Sequence, residues 1–141
     1  MFGYLLLFLA VLPGLLISYA VFRADKYERE GTLNLLICFG LGVAATIPAI
    51  AFEKWACPDP IPERWGLWKT IWIAYGAVAF NEEFFKMLAL LLGAFVWRFF
   101  NEPMDGIVYA VLVAMGFATA ENILYIHRFG AEPLLLRTFT A

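Results

Sequence analysis

The stretch Asn81-Glu82-Glu83-Phe84-Phe85-Lys86 lies inside an otherwise apolar run from Ile71 to Trp97. A run of that length can cross a bilayer, which takes about 20 apolar residues. Two carboxylates and an ammonium then fall near the middle of a membrane helix. Insertion there costs about 2.5–3.5 kcal/mol for a central Asp or Lys. Ionisable groups at that depth are a functional-site hypothesis by default.

The run is one of four. The 141 residues are 63% hydrophobic, against about 45–50% in a soluble domain. In lipid each backbone polar group must pair within its own segment, so the runs should be helices. The short alternating strands of a membrane barrel are missing from the pattern. The fold class expected is all-α: a polytopic transmembrane bundle of four membrane helices and the start of a further segment. Residues 1–141 then form a single membrane domain. A net charge of −2 with no basic block argues against nucleic acid as a partner. Cys38 and Cys57 form no CxxC pair, and there is no HExxH motif. No cofactor is expected, and spacing gives no metal site.

The spans expected are Tyr4 to Phe22, Leu33 to Phe52, Ile71 to Trp97 and Ile107 to Ile126. The first lacks the basic n-region of a signal peptide and reads as a retained helix, interrupted at Pro13-Gly14. Gly40, Gly42, Ala44 and Ala45 make the second suited to close packing. Glu53 to Lys69 reads as a loop carrying Pro58, Pro60 and Pro62, with Trp65 and Trp68 as interfacial anchors. Arg98 to Gly106 reads as a tight connection that makes the last two spans antiparallel neighbours. Arg23, Lys26 and Arg29 put the first and third loops in the cytoplasm and the N-terminus outside.

Glu82 and Lys86 are four apart and share a helix face. Tyr75, Ala79, Glu82, Glu83, Lys86 and Gly93 make one small-and-polar stripe. Ala110, Ala114, Ala118, Glu121 and Asn122 make a second on the last span. Glu83 lies roughly 21 Å from Trp97 along its helix, and Glu121 roughly 21 Å from Ile107. The two stripes therefore place Glu82, Glu83, Lys86, Glu121 and Asn122 in one cluster. Three carboxylates and one ammonium cannot all be comfortably ionised in a low dielectric, so they titrate as a coupled set. Such a set suits general-base activation of water. It also suits a proton relay in a transporter or channel. A third reading is a buried ion pair in a membrane interaction protein with no catalysis.

Glu82-Glu83-Phe84-Phe85-Lys86 fits EExxK, and Phe117-Ala118-Thr119-Ala120-Glu121 fits FxxxE. Together they resemble the first two motifs of the PrsW intramembrane proteases, which are similar to the prenyl-protein (CAAX) endopeptidases and bacteriocin-processing proteins. The flanks Arg23 to Glu28, Met104 to Tyr109 and Glu121 to Tyr125 carry the same resemblance. It implies a glutamic-type peptidase of the bacterial cytoplasmic membrane, multi-pass, acting on a membrane-anchored protein such as an anti-sigma factor. By that resemblance Glu82 or Glu83 activates water, and Lys86 orients and charge-balances the acids. Glu121 is a second acid, and Asn122 positions a partner. A metal has been considered for this group, and the glutamate-and-water mechanism is the one carried over. The family's later motifs supply histidines, whereas His127 follows the fourth span outside any motif position. The chain therefore reads as the first part of a larger peptidase domain, or else as an inactive relative. The abrupt end at Ala141 favours the former.

Overall fold

The computed structural model describes residues 2–24, 31–57, 66–97 and 103–129. The elements are α1 (Phe2–Ala24), α2 (Thr32–Ala56), α3 (Leu67–Trp72), a π-helical segment (Ile73–Ala79), α4 (Phe80–Trp97) and α5 (Pro103–Phe129). All elements among the described residues are helical. α3, the π segment and α4 are contiguous, so the described residues form four helical rods. The loops used to orient the chain, Pro58, Pro60 and Pro62, Trp65 and the segment beyond Phe129 lie outside the described residues.

Three boundaries differ from those expected. α2 does not stop at Phe52 but runs on to Ala56. Its stop is set by Pro58, which disfavours helical geometry at the preceding residue. Cys57 is accordingly extended, at φ −114° and ψ 121°, while its N–H still donates to Glu53 O at 2.7 Å. Glu53 is therefore helical and not part of a loop. The third rod starts at Leu67, four residues before the expected Ile71. α5 starts at Pro103, so Pro103 to Gly106 is a first turn and not a connection. Proline suits that position, where its missing N–H has no intrahelical partner. Buried Asp105 follows in the same turn, where a negative charge meets the positive end of the helix dipole. α1 continues through Pro13 and Gly14, so that pair does not end the helix.

α5 is the centre of the assembly, since it meets each of the other three rods. It packs most extensively against α2 and then α1, while α4 lies mainly on α2. The tightest seam is α2 on α5. A Cβ on Gly42 would strike Val113 O, and a Cβ on Gly116 would strike Phe39 O. The two glycines thus let each backbone sit against the other. The small residues on the two polar stripes suggested that α4 and α5 would also pack closely. Ala110, Ala114 and Ala118 are only half-buried, and α4 meets α5 much less than α2 does. The core draws its large side chains from α5, with Tyr109, Phe117, Val108 and Val113 almost fully buried. α2 and α4 answer with small ones, Cys38, Ala45, Ala49 and Ala89. Two stretches among the described residues, Thr32–Ala56 and Met104–Arg128, are long and apolar enough to cross a membrane.

Candidate functional site

The polar stretch opens α4 immediately after the π segment. A π turn carries more residues than an α turn, so it shifts the register of α4 relative to α3. Tyr75 and Ala79, expected on the stripe of Glu82, instead face outward and are exposed. A uniform step of about 100° per residue does not hold across this segment. The stripe splits further along as well. Gly93 is buried against Leu41 and Cys38 of α2, whereas Glu83 has 73% of its side chain exposed.

Lys86 joins the two acids of α4. Its Nζ donates to Glu83 Oε1 at 2.7 Å and lies 3.8 Å from Glu82 Oε2. It also stands 4.7 Å from the centre of the Phe117 ring on α5. A cation over a ring face is attracted by the ring quadrupole, more so where water is scarce. The Lys86 side chain is 20% exposed and that of Glu82 21%. Glu82, Lys86 and the ring of Phe117 therefore form the inner part of the cluster, and Glu83 its outer edge.

Glu121 lies one turn beyond Phe117 on α5 and is half-buried. Asn122 is directed elsewhere. Its Nδ2 donates to Ala10 O at 3.3 Å and ties α5 to α1. The expected five-residue cluster is thus brought together at Glu82, Glu83 and Lys86, while the amide of Asn122 serves a helix contact on the α1 side. His127 is exposed in the last turn of α5.

Two residues given no role by the sequence join the site from the α2 side. Asn81 is 5% exposed. Its Nδ2 donates to Ala49 O at 3.0 Å and to Glu53 Oε1 at 3.4 Å. Through this bond Glu53 of α2 is tied to the residue that precedes Glu82. The signal for Glu53 was present in the sequence, since Pro58 and not Glu53 ends the helix. Four positions beyond Ala49, Glu53 then has to fall on the same face of α2.

Cys57 gives this corner an experimental handle. Partial burial, and secondly the charge of Glu53, push its thiol above the ordinary range. A raised thiol value means less thiolate at a given pH, hence slower alkylation. Removing the Glu53 charge by Glu53→Gln should lower that value and speed maleimide labelling of Cys57 severalfold at pH 8. The other described cysteine, Cys38, is buried and should stay unlabelled in the folded protein. Labelling rates equal in the two proteins would show that Glu53 carries no charge near Cys57.

A family model described as PrsW family intramembrane metalloprotease matches residues 30–140. Protease PrsW of Clostridioides difficile (strain 630) is 31% identical over 86% of this chain and 50% of its own length. Protease PrsW of Bacillus subtilis (strain 168) is 30% identical over 90% of the chain and 56% of its own. That of Geobacillus kaustophilus (strain HTA426) is 31% identical over 90% and 54%. The chain therefore spans about half the length of the curated relatives it matches. No solved structure matches it. The family description names a metalloprotease, and a metal needs converging donors. Among the described residues no three His, Cys, Asp or Glu side chains converge on one point. The position between Glu82 and Glu83 is already served by the Lys86 ammonium. These residues by themselves do not fit a metal, and no chemical step is assigned to one. The family model covers most of the chain and three relatives agree with it, so this chain belongs to the PrsW protease family.

Proposed function

We propose that the chain is part of an intramembrane endopeptidase that hydrolyses a peptide bond of a membrane-anchored protein, of the anti-sigma factor class, in the bacterial cytoplasmic membrane. All four rods cross the bilayer in this reading. The distribution of side-chain size supports it. Leu36, Ile47, Trp55, Trp72 and Phe80 are exposed, while glycines and alanines fill the seams of α2. Membrane helices pack through small residues and turn large apolar ones to lipid. Only 28% and 39% of the two long apolar windows are buried, whereas the core helix of a soluble protein would be mostly buried.

The observation that carries the chemistry is the half-buried Glu82, 3.8 Å from Lys86. Glu82 takes a proton from water, and the hydroxide so formed adds to the peptide carbonyl carbon. Glu82 then returns the proton to the amide nitrogen as the C–N bond breaks, giving an acid and an amine. Lys86 balances the acids and holds them in place. Glu83, exposed and directly paired with Lys86, sets the position of the ammonium. Glu121, half-buried on α5 one turn from Phe117, is the second acid in this reading.

The test uses the full-length protein in proteoliposomes with a single-pass substrate, fragments being identified by mass. Cleavage in the wild type, lost in Glu82→Gln, supports the reading. An inactive wild type, or cleavage unchanged in both Glu82→Gln and Glu83→Gln, overturns it.

A further inference from the structure

We infer that Glu53 is a positioning residue of this site, acting through Asn81 as a latch that fixes where α4 points Glu82. The inference rests on the peptidase reading of Glu82 and adds a residue from a helix that carries neither family motif. Because Ile73–Ala79 is π-helical, the register of α4 is not dictated by regular continuation of α3. Something else must set the rotation at which α4 begins. Asn81 is the second residue of α4 and is buried. Its amide nitrogen reaches across the seam to two acceptors one helical turn apart on α2, the carbonyl of Ala49 and the carboxylate of Glu53. A carbonyl alone would hold the amide at one point. The second acceptor makes the attachment directional, because both N–H groups of one planar amide have to be satisfied.

Asn81 is buried, so its amide has little water to turn to if it leaves these two acceptors. The latch therefore holds in a fixed rotation, and Glu82, the next residue, is held with it. Misplacement of a reacting group by about 1 Å can lower a rate by about 10²-fold. Glu53 itself touches no substrate. It holds Asn81, and Asn81 holds the helix.

The experiment uses full-length protein carrying Glu53→Leu, Glu53→Gln or Glu82→Gln. Leucine keeps the bulk of the side chain but accepts no hydrogen bond. Glutamine keeps the accepting oxygen without the charge. Glu53→Leu should lower kcat about 10-fold to 10²-fold with KM within about twofold, since binding groups are untouched. Glu53→Gln should recover most of the lost rate. Hydrogen exchange at the backbone of residues 80–83, which needs no substrate, should quicken about fivefold in Glu53→Leu and much less in Glu53→Gln. Unchanged exchange in Glu53→Leu overturns the latch, whether or not cleavage is observed. A Glu53→Gln protein as slow as Glu53→Leu also overturns it, because charge and not hydrogen bonding would then be what matters. Glu82→Gln separates the two ideas. If it abolishes cleavage while Glu53→Leu cleaves normally, only the latch falls. If it cleaves normally, the peptidase reading of Glu82 falls, and the exchange measurement still decides the latch.

Discussion

Glu82→Gln in the full-length protein should lower kcat/KM by about 10²–10⁴-fold, the range a positioned general base contributes. Glutamine has the shape of glutamate and can accept a hydrogen bond from the same neighbours, but it cannot take a proton from water. Glu83→Gln should cost less than about tenfold. Its carboxylate is 73% exposed and already engaged with Lys86 at 2.7 Å. An ion pair with one partner that open contributes little, about 0–1 kcal/mol in the usual case. The contrast between the two variants is the informative result. EExxK offers two adjacent acids with no means of ranking them, and the geometry ranks them by burial and by partner. Equal losses in the two, measured under single-turnover conditions, would mean that the pair acts as a unit and that Glu82 has no separate role.

Gly116→Ala and Gly42→Ala should each destabilise the fold by about 1–3 kcal/mol or more, the range for forcing extra volume into a packed seam. A Cβ at Gly116 meets Phe39 O, with Phe39 C at 3.0 Å and Val43 N at 3.2 Å. A Cβ at Gly42 meets Val113 O, with Val113 C at 2.8 Å and Phe117 N at 3.0 Å. These are backbone atoms of a helix and cannot rotate away, so the axes of α2 and α5 must separate. The double variant should be less destabilising than the sum of the two, because the first separation already makes room for the second methyl group. Gly14→Ala should be milder. The first atom met there is the hydroxyl of Thr119, the end of a side chain that can turn. Unfolding by graded additions of SDS in mixed micelles measures all four variants. A neutral Gly116→Ala would show that α2 and α5 do not approach at this spacing.

The two seams also bear on one another. Phe117 is placed by the α2–α5 crossing, and its ring is the surface beneath Lys86. Loosening the glycine crossing should therefore disturb the acids of α4 without touching them. Asn122 shows the opposite case. Its position next to Glu121 suggested a place in the site, but each successive residue of a helix is turned about 100° from the one before it. That step is enough to turn its amide to Ala10 of α1.

The amino-acid order by itself determined that the chain is helical, where its apolar runs lie and that charged groups interrupt one of them. It also determined the pair Glu82 and Lys86, because four residues is about one helical turn whatever surrounds it. Periodicity could not carry that reading across the π segment, since hydrogen-bond register there is not a property of single residues. It could not foresee that α5 would be the central helix, because small residues on several spans allow close approach and only one pair of helices can use a given face. Glu53 shows the limit most clearly. Along the chain it is a charge at the edge of an apolar run, 28 residues from Asn81. Only the packing of α2 on α4 makes them hydrogen-bond partners, and so ties an acid of α2 to the residue that precedes Glu82.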